Sequence, residues 1–231
     1  MCGRIAQYSG IREFVDALSG LPQREQFRLP LEALQHYNIA PTGQVATLHL
    51  AEGTLLADLL PWGWKPHWAT RQPNQNARVE SVATLAFWRN AWPHRAIIPI
   101  DGWYEWVDEG GPKKQPYFIR RRDGRPTLCA TIGNFPGLDG DAPPNPGTAC
   151  ITADALGGML DVHDRRPITL APELAWEWLD HATPKERAEQ MVLHQGEPAD
   201  EFEWYKVGLA VGNSRNQGSQ LIQPLAPLGH A

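Results

Sequence analysis

The chain has 231 residues and a formal net charge of −5. No apolar run reaches the length of a bilayer span and no signal peptide precedes Cys2, so we expect a cytoplasmic protein without a membrane partner. The other two cysteines, Cys129 and Cys150, lack the spacing of a zinc ribbon or a disulfide framework. We therefore expect a reducing compartment, no metal and no other cofactor.

The net charge argues against a nucleic-acid partner, but its distribution does not. Residues 1–125 hold 15 Lys and Arg against 12 Asp and Glu, whereas residues 126–231 hold 6 against 14. Arginine, which matches phosphate geometry better than lysine does, supplies 16 of the 21 basic residues. A locally positive face on an acidic protein is therefore allowed.

The predicted elements alternate between short strands and a few helices. In chain order they are a helix at 11–18, a strand at 44–50, a helix near 82–90, strands at 95–100, 117–122, 127–133 and 149–153, and helices at 172–181 and 183–194. Asp123 and Gly124 predict a hairpin turn between the strands on either side of them. Thr183 is predicted as the N-cap of the last helix, with Pro184 at its first position and Glu186 completing a capping box.

The organisation indicates one mixed domain over residues 1–231. Loops are predicted at 108–114 and 136–147, and no linker separates two composition classes. The length alone also allows two small domains.

The second residue raises a chemical question. Removal of Met1 would leave Cys2 with a free α-amine beside its thiol, a 1,2-aminothiol that no internal cysteine can form. The amine has a pKa of about 7.7–8.0 and the thiol one of about 8.5, so both groups are partly nucleophilic near neutral pH. Taken alone, a cysteine at the second position is more simply explained as an accident of an untidy terminus.

Three other segments place polar side chains beside apolar or aromatic ones. Asn76 and Arg78 share one face if their segment is extended. Glu105 lies among three aromatic residues, where desolvation would raise its pKa toward the range of a general acid. His163 precedes Arg165 at a spacing of two. Each of these, considered singly, is also consistent with an ordinary surface or loop position.

All of these segments together resemble one family, the SOS-response-associated peptidases (SRAP), also called abasic-site processing proteins. The resemblance is carried by motifs along almost the whole chain: "MCGR" at the start, "YNIAPT" (37–42), "PWGWKPHW" (61–68), "NARVES" (76–81), "RAIIPIDGWYEW" (95–106), "VHDRRP" (162–167) and "VGNSRNQGSQLIQPL" (211–225). Two positions depart from the family pattern. Arg166 stands where an apolar residue is common, and Pro61 stands where the tryptophan-glycine motif usually opens with Arg.

The resemblance implies an α+β fold: a single strand-rich SRAP domain with a barrel-like β core and flanking helices. It also implies capture of abasic sites in single-stranded DNA by a monomeric protein, through Schiff-base chemistry at Cys2 that ends in a covalent thiazolidine. Such a protein would be nucleoid-associated when bound to DNA. Release of Met1 by the protein itself, or by a separate aminopeptidase, is left open.

The same resemblance assigns roles to individual residues. Asn76 would hold the N-terminal residue and the sugar in register, Glu105 would transfer protons, and His163 would act as a second acid or base. Arg78 and Arg165 would bind the phosphates that flank the lesion, with Arg4 as a weaker candidate. Trp68 would stack on a neighbouring base, although a packed tryptophan is an equal alternative.

Two other functions remain open at this stage. Class II glutamine amidotransferases also begin with Met-Cys-Gly and use the mature cysteine as nucleophile, but no further glutaminase motif is present. A non-covalent single-stranded DNA-binding module would need aromatic platforms and a basic groove, and no special terminus. General proteolysis is not supported, because neither a G-x-S-x-G nor an H-E-x-x-H motif occurs.

Overall fold

The computed structural model describes residues 2–18, 25–29, 32–155, 157, 159 and 162–225. Within these ranges the strands are β1 (Ile5–Gln7), β2 (Glu25–Phe27), β3 (His36–Ile39), β4 (Gln44–Ala51), β5 (Thr54–Pro61), β6 (Asn76–Arg78), β7 (Arg95–Ile100), β8 (Gly102–Val107), β9 (Gln115–Arg121), β10 (Thr127–Asn134), β11 (Gly147–Asp154), β12 (Arg165–Pro167) and β13 (Phe202–Lys206). The α-helices are α1 (Ile11–Asp16), α2 (Val79–Val82), α3 (Pro172–Leu179) and α4 (Lys185–His194), and single 3₁₀ turns lie at Ala199–Glu201, Leu209–Gly212 and Ser219–Ile222. No described helix is long and apolar enough to cross a bilayer.

The strands form two sheets, which confirms a strand-rich α+β architecture. One sheet has the order β13-β9-β8-β1-β3. The other follows the path β12-β11-β10-β7-β4-β5-β2, with β6 added to it through a parallel pairing with β11. Both sheets are open in the described residues, so the expectation of a barrel-like core was wrong.

The central strands are apolar because both of their faces are covered. All six residues of β7 are buried, and so are seven of the eight residues of β10. β-branched residues such as Ile97, Ile98 and Ile132 suit such positions because their side chains pack well on a pleated surface.

A buried apolar cluster joins the two sheets and contains Cys2. It includes Ile5 and Trp103 of the first sheet and Ile98 of the second, together with all three cysteines. Gln7 ties the sheets together in the same region. Its side-chain amide donates to the carbonyls of Ala46 on β4 and Pro99 on β7 at 2.9 and 2.7 Å, and its side-chain oxygen accepts from the Ala46 N–H at 2.9 Å.

All five predicted strands are present, and the predicted loops at 108–114 and 136–147 lie between strands, except that Gly147 already begins β11. The hairpin at Asp123 and Gly124 was wrong. A turn does form there, with Gly124 at φ 74°, but β9 pairs with β8 and β13 whereas β10 pairs with β7 and β11. The turn therefore carries the chain from one sheet to the other.

Two helix predictions also needed correction. The helix expected near 82–90 is four residues long and lies earlier, at Val79–Val82; turns follow it because Phe87 and Trp88 pack against Trp64. In the last helix Pro184 is the N-cap, without a side-chain hydrogen bond. The Thr183 hydroxyl instead donates to the carbonyl of Glu177 at 2.6 Å, which joins the two helices.

Candidate functional site at the amino terminus

Cys2 is held at the junction of the two sheets. It is 1% exposed, and two residues later the carbonyl of Arg4 accepts a hydrogen bond from the Tyr104 N–H of β8 at 2.9 Å. From the other sheet, the side-chain amide of Asn76 donates to the Cys2 carbonyl at 2.7 Å. Asn76 reaches this position because β6 pairs in parallel with β11, where it lies opposite Cys150.

Glu105 faces the same junction from β8. It shares a face with Trp103, two residues earlier, and is 3% exposed. Burial raises the pKa of the Glu105 carboxyl to about 8, against the opposing effect of the amino-terminal charge and with a smaller contribution from the Asp164 carboxylate in the same direction as burial. Its Oε1 atom has no hydrogen-bond partner in the described part of the chain. At neutral pH this group is therefore largely protonated and can act as an acid.

His163 completes the arrangement from the segment before β12. Its Nε2 lies 3.8 Å from Glu105 Oε2. On the opposite side of the ring, Nδ1 lies 2.9 Å from the Arg165 backbone N–H, which requires a lone pair on Nδ1, and 2.6 Å from Asp164 Oδ1, which requires a proton there. The unprotonated Nδ1 therefore accepts from the Arg165 backbone, whereas the protonated Nδ1 donates to Asp164. Burial lowers the pKa of His163, which favours the neutral ring.

The Cys2 thiol is not a preformed thiolate. Burial raises its pKa well above the ordinary value, and the charges of Glu105 and Cys150 raise it further. A thiol of this kind reacts only after a base has taken its proton.

A half-open cleft begins at Asn76. As predicted, Asn76 and Arg78 lie on one face of an extended segment, with Ala77 buried on the other. The cleft has a volume of ≈ 260 Å³ and is lined by Arg71, Asn74, Gln75, Asn76, Arg78, Ser81, Leu85 and Trp88. Arg78 is exposed and its guanidinium has no hydrogen bond or ion pair with any described residue, although its charge helps to lower the pKa of Glu80. This guanidinium is therefore available to a ligand.

Trp68 lies on the surface next to this cleft. It is 57% exposed and meets the buried Phe87 edge-on, with ring centroids 6.1 Å apart. The Arg71 guanidinium carbon lies 4.0 Å from the centre of the Phe87 ring. These three residues border a shallow hollow. An exposed indole beside a cation suits the stacking role better than the alternative of a packed tryptophan.

Arg165 is placed differently from Arg78. It is 7% exposed, and its guanidinium forms ion pairs with Glu80 and with Asp154, at 2.7 Å to the latter, and donates to the Thr152 carbonyl at 2.6 Å. Binding of a phosphate by Arg165 would require exchange of these partners. Phosphate binding by Arg165 stays a prediction.

Arg4 connects three of the motifs that the sequence brought to notice. Its guanidinium donates to Asn38 Oδ1 at 2.7 Å and to the Val211 carbonyl at 2.9 Å, and it lies over the Trp106 ring. The Asn38 amide in turn donates to carbonyls of the closing segment, including Asn213 at 3.0 Å. Burial lowers the pKa of Arg4. The geometry favours a structural role for this residue.

The two departures from the family pattern, Arg166 and Pro61, have different surroundings. Arg166 is 5% exposed, and its Nε and one Nη have no hydrogen-bond partner among the described residues; burial lowers its pKa, and Glu197 acts in the opposite direction. Pro61 is the last residue of β5 and lies opposite Gln44. Neither position lines the cleft at Asn76.

Sequence reasoning missed several residues near the site. Arg71, Leu85 and Trp88 line the cleft, and the charge of Lys114 helps to lower the pKa of His163. The only available signal for Arg71 was its position between two recognised motifs. Glu80 stands inside "NARVES", but its partner Arg165 is 85 residues away, so the ion pair had no local signature.

No described group of three or more His, Cys, Asp or Glu side chains is placed to hold a metal ion.

The fold and this site define a strand-rich α+β protein in which the buried Cys2 accepts a hydrogen bond from Asn76 at the junction of two sheets. A family model described as SOS response associated peptidase (SRAP) matches residues 1–214, and the chain belongs to that family. The abasic site processing protein YedK of Escherichia coli (strain K12) is 41% identical over 226 residues, which cover 97% of this chain and 100% of that protein.

Solved structures show the same fold. A phage-related protein from Bordetella bronchiseptica has a TM-score of 0.73 and 39% identity, covering 89% of this chain and 94% of the other. A protein from Bacteroides thetaiotaomicron has a TM-score of 0.77 over 97% of this chain and 100% of the other, at 17% identity. The second comparison bears on the fold alone.

Proposed function

We propose that this protein recognises abasic sites in single-stranded DNA and captures them covalently through Cys2. The observation that carries the proposal is the hydrogen bond from the Asn76 amide to the Cys2 carbonyl, beside a buried Glu105 carboxyl that acts on Cys2 through its charge and lies 3.8 Å from the His163 imidazole. The description of the E. coli relative as an abasic site processing protein supports the choice of substrate.

The chemistry requires both functional groups of an amino-terminal cysteine. After Met1 is removed, the α-amine of Cys2 attacks the aldehyde of the ring-opened sugar and forms a carbinolamine. Loss of water, assisted by a proton from Glu105, leaves a Schiff base. The thiol then adds to the imine carbon and its proton passes to the nitrogen, which closes a thiazolidine. This last step protects the DNA strand, because a bare Schiff base promotes β-elimination.

The electrostatics of the site suit this order of events. Because the pKa of the Cys2 thiol is raised, the amine is the first nucleophile and the thiol follows. Glu105, with its pKa raised to about 8, supplies a proton to the departing water and can then accept one from the thiol. His163, 3.8 Å away, offers a second site for proton exchange. Asn76 holds the Cys2 carbonyl while these bonds form.

The decisive experiment mixes the protein with a single-stranded oligonucleotide that carries one abasic site, followed by a denaturing gel. Intact mass on the same sample establishes that Met1 has been removed. We expect a heat-stable shifted band without borohydride, absent in Cys2→Ala, whereas Cys129→Ala should retain it. Absence of the band in protein that lacks Met1 would refute the proposal.

The two alternative functions make different predictions. A glutamine amidotransferase would release ammonia from glutamine, and we expect none. A non-covalent single-stranded DNA-binding module would keep all of its DNA capture in Cys2→Ala. On our proposal this variant loses the covalent product and keeps the non-covalent affinity.

A further inference from the structure

We infer that the same site also captures free aldose monophosphates, small sugars with an aldehyde at one end and a single phosphate at the other. This inference rests on the proposed function, because it uses the same aminothiol. It extends the substrate class from a lesion within a DNA strand to small phosphorylated aldehydes.

The groups around Cys2 suit the hydroxyl groups and the ring oxygen of a sugar. Asn76 Oδ1 and Glu105 Oε1 are both buried without a hydrogen-bond partner in the described part of the chain. Both atoms suit a polyhydroxy ligand. The amide oxygen of Asn76 can accept a hydrogen bond from a hydroxyl group, and the protonated carboxyl group of Glu105 can donate one to a ring oxygen. Buried polar atoms of this kind are normally satisfied, so a ligand that satisfies them gains affinity.

The cleft beyond Asn76 has the size and charge for one phosphate. Its volume of ≈ 260 Å³ lies below the ~300–1,000 Å³ of pockets that hold drug-sized ligands. Arg78 lies on the same face as Asn76 and two residues further along the strand, which corresponds to a rise of about 6.6 Å. That separation suits the extended chain of a five-carbon sugar. Arg165, by contrast, is already paired with Glu80 and Asp154.

The reaction is balanced without a further reactant. Ring opening breaks the bond between C1 and the ring oxygen, which takes a proton, while the C1 hydroxyl loses its proton and becomes the aldehyde. The Cys2 amine and the aldehyde then lose one water, and the thiol adds across the imine with its proton going to nitrogen. The adduct therefore has the mass of protein plus sugar phosphate, less one water.

The test compares 2-deoxyribose 5-phosphate with 2-deoxyribose by intact mass over time, using protein that lacks Met1. A peptide of sequence Cys-Gly-Arg-Ile, which carries the same aminothiol without the fold, gives the intrinsic reactivity. We expect the protein to react about tenfold faster with the phosphorylated sugar, the size of one charge-assisted hydrogen bond, and the peptide to show no such preference. Equal rates for the two sugars, or no adduct, would overturn the inference.

Two variants locate the phosphate. Arg78→Ala should lose the preference for the phosphorylated sugar. Arg89→Ala, which removes another exposed arginine outside the cleft lining, should keep it. A preference that survives in Arg78→Ala would refute the role of the cleft.

The same preparation is tested with the abasic oligonucleotide so that the two proposals can fail separately. Oligonucleotide capture without any sugar adduct refutes this inference alone. Loss of both refutes the proposed function and the inference with it. If both hold, excess 2-deoxyribose 5-phosphate should also slow oligonucleotide capture.

Discussion

The side-chain amide of Asn76 donates a 2.7 Å hydrogen bond to the carbonyl oxygen of Cys2, 74 positions earlier in the chain. Cys2 leads into the first sheet and Asn76 belongs to the second, so this one contact fixes Cys2 relative to both.

Asn76→Ala should slow covalent capture by roughly 10- to 100-fold, because a reacting group displaced by about 1 Å loses that much rate. Removal of one hydrogen bond should lower the free energy of unfolding by only about 1 kcal/mol. Capture rates are measured on denaturing gels. Asn74→Ala, at another position in the cleft lining, is the matched control and should react normally. A normal rate in Asn76→Ala would remove the positioning role.

Glu105→Gln should slow capture by at least about tenfold, because the amide cannot supply a proton. In the wild type the proton is present below a pKa of about 8, so acid assistance should decline as the pH rises through that value. Capture rates between pH 6 and 9 test this. The wild-type and variant rates should converge at high pH, and a constant ratio across this range would contradict proton donation by Glu105.

Glu105 should also make the stability of the protein depend on pH. The folded protein binds this proton with a pKa of about 8 against the ordinary value of 4.5, so the folded state holds more protons between these two values. The free energy of unfolding therefore falls as the pH rises through this window. Compared with the wild type, Glu105→Gln should show a flatter dependence of the melting temperature on pH. If the melting temperatures of the wild type and of Glu105→Gln changed in parallel with pH, the Glu105 carboxyl would have an ordinary pKa.

Arg78 and Arg165 should differ in their effects on DNA binding and on stability. Arg78→Ala removes a free cation, so the slope of log K against log salt should decrease by about 0.7 for single-stranded DNA, with no change in melting temperature. Arg165→Ala should instead lower the free energy of unfolding by about 1–2 kcal/mol, because its buried hydrogen bonds are lost while its exposed carboxylate partners regain water. Salt titrations and thermal melts on both variants decide this. An unchanged salt slope in Arg78→Ala would refute its phosphate role.

Trp68→Ala should weaken non-covalent binding to single-stranded DNA by about 1–3 kcal/mol, the range for loss of one stacked base. Because the side chain is 57% exposed, the fold should be unaffected. Binding is measured by fluorescence anisotropy in the Cys2→Ala background, which prevents crosslinking. Leu193→Ala, at an exposed apolar residue of α4, is the control. Equal affinities would mean that the indole does not contact DNA.

The sequence predicted what depends on local pattern. Alternation placed Asn76 and Arg78 on one face, and short apolar runs located the central strands such as β7 and β10. The features that the sequence did not predict depend on contacts between residues that are far apart in the chain. A turn sequence at Asp123 and Gly124 specifies a reversal of the chain but not which strand will pair with it. Closure of a barrel likewise depends on how edge strands meet, and no local signal encodes that.

In the candidate site too, local features were predicted from the sequence and long-range contacts were not. The desolvation of Glu105 followed from its aromatic neighbours, but the proximity of His163 to it did not follow from spacing, because 58 positions separate them. The pairing of Glu80 with Arg165 depends on β6 and β12 both adjoining β11. That arrangement is a property of the completed sheet.

The position of the reactive residue has a consequence for biosynthesis. Cys2 emerges from the ribosome before any of its partners, and the imidazole of His163 follows only after about two thirds of the chain has been translated. The strands that carry Asn76 and Glu105 lie in different sheets, so neither sheet alone assembles the surroundings of Cys2. On the proposed function, a nascent chain that has lost Met1 carries an aminothiol with the reactivity of a simple peptide, and assisted reactivity begins only when translation has supplied both sheets.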